Sequence, residues 1–252
     1  MYRVILAANN HPDYSFLIPL TAILWRERTM YKPLCIVSDA LLAGDLRKLG
    51  FDVGSETFFN DRMEAKLSRW YSHSQPGVDR DDVLLLADVD AWPIDGAYWN
   101  RTAEKPVTCF YGDAYQGRRH CTHGFRATAM ALKEICGGGM HGRIDELRKL
   151  PMDDERRYSD DCAQSELFLK WMEGREQFVE ILTRGPSPPK DRIDRSAWPE
   201  SFNLTGKVDA HLPRDASDRR VWLQIRPLFR ALAPGWADWA DSYYESWARG
   251  IV

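Results

Sequence analysis

The stretch DDVLLLADVDAWPI, residues 81–94, decides how the chain is read: an apolar run, Val83 to Ala87, leads into two carboxylates, Asp88 and Asp90, one position apart. A run this apolar suits a strand covered on both faces of a sheet. In an open parallel sheet, ligands bind beyond the carboxyl ends of the strands. Residues i and i+2 of a strand face the same side, so both carboxylates are expected to face one cleft while Val89 turns back into the protein. Two like charges so close need something positive between them. A hard divalent cation, Mg2+ or Mn2+, takes one or two protein carboxylates and completes its shell with water and substrate phosphate. The plainer alternative is that Asp88 and Asp90 cap a strand and its turn, where Asp is common.

Working outward, RVILA (3–7), PLCIVSD (33–39), DVGSETFF (52–59) and VLLLADVD (83–90) read as strands. Between them SFLIPLTAILWRER, ALLAGDLRKLG and DRMEAKLSRWYSH carry apolar residues at helical spacing. Gly50 is placed to end the second helix, and Pro19 to bend the first or mark its start. This alternation predicts an α/β fold with a mostly parallel, doubly wound sheet and helices on both faces. Further on, VTCFYGDAY (107–115) and FVEILT (178–183) read as strands, TAMALKEIC and SDDCAQSELFLKWM as helices, and GGGMHG (137–142) as a loop. GPSPPKDRIDRSAWPESFNL (185–204) is too rich in Pro and charge for regular structure. The chain finishes in two helices, and no internal repeat is visible.

The chain has 252 residues, 44% hydrophobic and 28% charged, enough for a sizeable core without staples. A formal net charge of −3, with Arg and Lys scattered, offers no attraction to phosphate backbones and excludes nucleic acid as the expected partner. No apolar run reaches the roughly 20 residues of a membrane span, and MYRVILAANN lacks a signal-peptide core, so a cytosolic protein is expected. Five widely spaced cysteines, Cys35, Cys109, Cys121, Cys136 and Cys162, read as reduced thiols rather than a disulfide framework. A zinc site from His120, Cys121, His123 and Cys136 has no Cys-x-x-Cys pair to support it.

In this order the segments resemble nucleotide-sugar-dependent glycosyltransferases of the GT-A fold. VILAANNHPDYSFLIPLTAILWR looks like the family's first strand and nucleotide-facing loop. KLSRWYSH looks like the helix before the metal strand, and VLLLADVDAWPI like that strand with its D-x-D motif. YSDDCAQSELFLKW resembles the later acidic helix start, and RIDRSAW with VDAHLPR the C-terminal closing segment. The likeness runs to about residue 230 and is strongest to small viral and bacterial members. It implies one GT-A domain over 1–252, with 1–105 as the nucleotide-binding half and 106–252 as the acceptor side with its C-terminal helices.

The resemblance implies site residues as well. Asp88 matches the acidic position near ribose and metal, Asp90 the more direct metal ligand, and His211 the histidine that completes the metal site; an imidazole tilts the choice toward Mn2+ over Mg2+. Ala8, Asn9 and Asn10 would lie under the base and ribose. Asp39 could meet uracil or ribose, or serve only as a helix N-cap. Arg69, more than Lys66, matches a basic position that meets the donor, and Arg192 and Arg195 are candidates for the diphosphate. Asp161 or Asp160 is the candidate base, although acidic residues also stabilise a helix start without any catalytic role. In a retaining enzyme that carboxylate would instead stabilise an oxocarbenium-like centre.

Trp92, Trp99, Trp171 and Trp198 are possible platforms for a sugar. Trp236, Trp239, Tyr243 and Trp247 share one face of the last helix, as core or as a homodimer contact. The function expected is transfer of a sugar from a nucleoside-diphosphate donor, a UDP-sugar, to a hydroxyl of a glycan acceptor. Rivals are a metal-dependent phosphohydrolase, a sugar-nucleotide nucleotidyltransferase, whose Gly-rich basic loop is missing from AANNHPDY, and a non-catalytic carbohydrate-binding protein.

Overall fold

The computed structural model describes residues 1–54, 62–102, 104–112, 123–151, 153–154, 159–185 and 188–250. Its strands are β1 (Tyr2–Ala8), β2 (Lys32–Val37), β3 (Asp52–Val53), β4 (Val83–Leu86), β5 (Ala91–Pro93), β6 (Val107–Cys109), β7 (Phe125–Thr128), β8 (Val179–Ile181), β9 (Arg192–Asp194) and β10 (Asp209–His211). Its helices are α1 (Pro12–Arg28), α2 (Ala40–Lys48), α3 (Arg62–Trp70), α4 (Gly96–Trp99), α5 (Ala129–Cys136), α6 (Met140–Arg148), α7 (Asp160–Met172), α8 (Arg219–Leu232) and α9 (Ala237–Ala248).

The main sheet has the order β3-β2-β1-β4-β7-β6-β8, and a small sheet the order β5-β10-β9. Pairing is parallel for β1 with β4, β2 with β3 and β6 with β8, while β7 runs antiparallel to both its neighbours. The α/β class with a mostly parallel sheet stands as read. The sequence reading missed β5, β7, β9 and β10, each too short for periodicity to register, the one-turn helix α4, and α6, whose start follows three glycines; β9 lies in the 185–204 stretch read as lacking regular structure. The strand expected over 52–59 is seen only at Asp52–Val53; residues 55–59 lie outside the described residues, as do 113–115 of the strand expected over 107–115.

The chain divides into two compact units, each drawing on distant segments: Met1–Ala7, Phe59–Asp88 and Thr102–Pro189 in one, and Ala8–Phe58, Val89–Arg101 and Lys190–Val252 in the other. In the first, β1, β4, β7, β6 and β8 pair, and Trp70 of α3 packs on Phe125 of β7 at 4.6 Å, which meets Phe168 of α7 at 5.1 Å. Leu67, Ile144, Leu147 and Ala163 join α3, α6 and α7 in a smaller cluster.

In the second unit α1 begins at the N-cap His11 with Pro12 at its first position, which costs no hydrogen bond there. Every residue from Ser15 to Trp25 is buried, so Pro19 sits inside the helix rather than at its start. Helix α2 is capped by Asp39, whose carboxylate accepts from Leu42 N, and stops in a Schellman turn. Gly50 N donates to Arg47 O and Phe51 N to Leu46 O, with Gly50 at φ +79°, a value that favours glycine. Phe16 of α1 gathers Trp222 of α8 and Tyr243, Tyr244 and Trp247 of α9 within 5.5 to 6.2 Å.

Asp241 of α9 ties that helix to α8 by accepting two hydrogen bonds from Arg226 and one from Arg230. The bond from Arg226 is the main reason its carboxyl is held below the ordinary range. A depressed folded value means stability present above the unfolded-state pKa of about 3.9 and lost as the pH falls through the folded one. Asp241→Asn is expected to cost roughly 1 kcal/mol at pH 7, the side chains being partly exposed. Urea midpoints should show that difference from wild type shrinking below pH 4.

Candidate active site

Strand β4 ends at Leu86, so the expected strand through Asp90 is corrected: Asp88 and Asp90 lie in the turn that follows, and β5 then joins a different sheet. The i, i+2 argument of an extended strand therefore does not set the direction of these carboxylates. Each is instead matched with its own arginine.

In the first unit Asp88 meets Arg69 of α3, whose Nη1 bonds its Oδ1 and also donates to Ala87 O at 3.0 Å. Arg69 is 3% exposed, and the backbone N of Asp88 donates to Nδ1 of the buried His123 at 3.2 Å. Burial alone would push the Asp88 carboxyl up, but Arg69, with His123 beside it, outweighs burial and holds it well below the carboxylate range. Lys66, one turn before Arg69, is half-buried.

In the second unit the small sheet does the assembling. β10 lies between antiparallel β5 and parallel β9, with His211 opposite Ala91 on one side and Asp194 on the other. Leu212 N donates to Asp90 O at 2.8 Å, which fixes the turn. The result brings Asp90, Asp194, Arg195 and His211 together. Arg195 Nη2 donates to Asp90 Oδ2 at 2.7 Å and also meets His211 Nε2; His211 Nδ1 lies 3.4 Å from Asp194 Oδ2. A guanidinium can only donate, so His211 Nε2 must be the acceptor and its proton sits on Nδ1, toward Asp194. Burial would raise the Asp194 carboxyl, yet hydrogen bonds from Ser196 N and Oγ, with His211 adding to them, hold it low. Asp194 thus orients the imidazole as outer carboxylates orient metal-binding histidines.

A divalent cation fits the donor chemistry here. Asp90 Oδ2 and the lone pair on His211 Nε2 lie 3.8 Å apart, and both already face a positive group, the Arg195 guanidinium. Among the described residues no group of three or more His, Cys, Asp or Glu side chains is placed to hold a metal ion. An open site of two protein ligands, completed by water and phosphate, is the usual arrangement for Mg2+ and its relatives.

Thr21 supports this turn from below: its Oγ1 donates to Val89 O and accepts from Trp92 Nε1 at 3.0 Å, fully buried. Thr21→Val keeps the shape but leaves both partners unpaired, so a loss of about 2 kcal/mol is expected in chemical denaturation.

The other sequence candidates fall out as follows. Arg192 is not available to a diphosphate: its guanidinium makes a two-pronged bond to Asp209 at 2.9 and 2.8 Å inside the small sheet. Ala8 is buried at the end of β1, Asn9 accepts from His11 N, and Asn10 accepts from Ser38 Oγ at 2.6 Å. Asp39 caps α2, and it shares a groove with Asn10. Asp161 is half-buried in the first turn of α7, behind the N-cap Ser159; the side chain of Asp160 lies outside the described residues. Trp92 and Trp99 are core residues, not sugar platforms, their indole N–H groups bonded to Thr21 and Val208. His120 and Cys121 lie outside the described residues, and Cys136 Sγ bonds Trp70 O. Sequence reasoning missed Asp194, Thr21 and the placement of His123. For Asp194 the signal lay in RIDRSAW itself, of which only the two arginines were read.

No family model matches the chain, and no curated protein matches it. Solved structures do. An active-site mutant of LgtC is 12% identical with a TM-score of 0.50, over 93% of this chain and 96% of that one. The galactosyltransferase LgtC in complex with donor and acceptor sugar analogues is 11% identical with a TM-score of 0.47, over the same shares. The apo form of the glycosyltransferase GlyE from Streptococcus pneumoniae TIGR4 is 12% identical with a TM-score of 0.46, over 71% of this chain. The chain spans less than half the length of the GlyE structures, 44% and 48%. The likeness to the LgtC mutant shows the fold, a GT-A glycosyltransferase fold.

Proposed function

We propose that the chain is a metal-dependent glycosyltransferase that moves a sugar from a nucleoside-diphosphate donor, a UDP-sugar, to a hydroxyl of a glycan acceptor in the cytosol. The observation that carries this reading is the convergence of the Asp90 carboxylate and the His211 lone pair, oriented by Asp194, on one cationic group. Asp90 and His211 would hold Mn2+ or Mg2+, and Asp88, two residues before Asp90 in the chain, is expected to join them. When bound, such an ion supplies a Lewis acid for charge growing on a leaving diphosphate.

The chain's own groups have separate tasks. Arg195 offers donors that match phosphate oxygens. Arg69 keeps Asp88 ionised. Asn10 and Asp39 are the candidates for the nucleoside, with Ala8 and Asn9 beside them. Asp161 is the candidate to accept the acceptor's proton, or, in a retaining reaction, to face the anomeric carbon.

The test is a panel of UDP- and GDP-sugars with and without Mn2+, followed by donor binding and donor hydrolysis. A UDP-sugar should bind and be hydrolysed only with metal, and Asp90→Ala should abolish both while its circular dichroism stays native. Normal Mn2+-stimulated turnover in Asp90→Ala would falsify the assignment. Release of phosphate from simple phosphate esters, without use of any nucleotide sugar, would favour the phosphohydrolase instead. A smaller effect checks the orienting carboxylate: Asp194→Ala should weaken Mn2+ binding about 10- to 100-fold by titration.

A further inference from the structure

A groove of about 540 Å3 lies between α5, α6 and α7, wholly within the first unit, with the buried Tyr71 at its inner end. That volume suits a small molecule. Its rim is the run Gly137-Gly138-Gly139 that leads into α6, with Gly142 in the helix's first turn. A Cβ built on any of the four would meet nothing within 4 Å, and only Gly137, at φ +65°, needs glycine for its backbone. At Gly138, Gly139 and Gly142 the missing side chains serve to bare the backbone. Among the described residues the N–H groups from Gly138 to Gly142 have no acceptor, because Gly139 supplies no side-chain cap and bonding within the helix begins at Arg143 N. Successive donors at the positive end of a helix favour an anion.

Such N–H groups are ordinarily met by water and alone select nothing. The second observation lies deeper. Gln164 of α7 is fully buried, on the helix face it shares with Leu167 and Trp171 of the groove wall. Its amide lies beside the Tyr71 hydroxyl without the geometry of a hydrogen bond, and neither Oε1 nor Nε2 has a partner. An unpaired buried amide is costly, and a ligand that both donates and accepts there would relieve it. Hydroxyl groups do both.

The remaining lining narrows the choice. Glu134 already accepts from Trp171 Nε1 at 3.1 Å and Glu146 from Arg143 Nη1 at 3.0 Å, so both carboxylates are engaged and neither calls for a cationic ligand. Lys170, by contrast, has no ion pair among the described residues. An aromatic base finds no open ring, since Trp171 stacks on Phe168 at 6.4 Å and has the Arg175 guanidinium 5.7 Å from its centre. We infer that this groove binds a sugar phosphate, its phosphate on the N–H groups of Gly138 to Gly142 and on Lys170, its hydroxyls on Gln164 and Tyr71. The inference stands apart from the proposed glycosyl transfer.

The experiment is isothermal titration calorimetry in EDTA without nucleotide, on wild type, Lys170→Glu and Gln164→Leu. The probes are the 1- and 6-phosphates of glucose, galactose, mannose and N-acetylglucosamine, the free sugars, and inorganic phosphate. At least one sugar phosphate should bind about tenfold or more tighter than inorganic phosphate, and Lys170→Glu should weaken it about tenfold or more, the worth of one charge-assisted hydrogen bond. Gln164→Leu replaces an unpaired amide by an apolar group of similar size, so it should melt no lower than wild type and lose the preference for sugar phosphate over phosphate. No binding of any sugar phosphate at millimolar concentration, or binding that Lys170→Glu leaves intact, overturns the inference. Inorganic phosphate bound as tightly as the esters would leave an anion site without a sugar and overturn it too. A lower melting temperature in Gln164→Leu would show the amide bonded inside the fold, with nothing left at the inner end to select a sugar. If both variants also lose UDP in the presence of Mn2+, the groove belongs to the donor site and the inference falls.

Discussion

Asp209→Ala is expected to lose about 3–5 kcal/mol of stability, a large share of the roughly 5–15 kcal/mol a folded protein holds. Arg192 and Asp209 sit at one register position of neighbouring strands, and their side chains are 7% and 1% exposed. Removing the carboxylate leaves a guanidinium buried without its counter-ion, in a place water reaches poorly. The cost is that of stranding a charge, not the net worth of the pair, which gives the prediction a second arm. Replacing both residues together, Arg192→Met with Asp209→Leu, should restore most of what the single change removes. Urea denaturation of the two variants decides it. Equal destabilisation in both would mean that the ion pair itself holds the small sheet. Since β9 and β10 also carry Asp194 and His211, the single variant should lose Mn2+ binding at denaturant concentrations where wild type keeps it.

The same small sheet marks the limit of what could be read from sequence. VLLLA, PLCIV and RVILA were legible because buried parallel strands are continuous apolar runs, and α2 because Asp39 and Gly50 punctuate both its ends. The strands AWP, RID and DAH have three residues each, too few for any period, and AWP pairs with DAH across more than a hundred positions of chain. Their pairing places His211 beside Asp194 and sequesters Arg192, so the identity of the candidate residues was visible while their division of labour was not. Arg192 and Arg195 look equivalent in RIDRSAW. Position relative to the strand decides it: Arg192, inside β9, lies opposite Asp209 and is buried on it, while Arg195, just past the end of β9, stands on Asp90. Trp92 and Trp99 failed as sugar platforms for a related reason: an indole is equally suited to a core when a hydroxyl or carbonyl takes its N–H, and here Thr21 and Val208 O do.

Arg195→Ala is expected to move two measurements in opposite directions. The guanidinium occupies both groups that would receive a cation, Asp90 Oδ2 and His211 Nε2, so under the proposed function a Mn2+ ion entering here would first have to displace it. A hydrogen bond to a charged group is worth about 1.5–3 kcal/mol, and a binding-competent state reached only after that cost lowers apparent affinity in proportion. Without Arg195 the pocket holds Asp90 and Asp194 with no guanidinium between Asp90 and His211, and Mn2+ measured by electron paramagnetic resonance in the absence of nucleotide should bind about tenfold or more tighter. Turnover of the nucleotide sugar should nevertheless fall about 10²- to 10³-fold, the usual loss when a donor to developing negative charge is removed. Arg195→Lys separates the two effects, because an ammonium restores charge but not the forked geometry: metal affinity should return toward wild type and turnover only in part. Mn2+ binding weakened by Arg195→Ala would show that the arginine props the ligands rather than competing for them, and the reading of this pocket as a site that exchanges one cation for another would have to be abandoned.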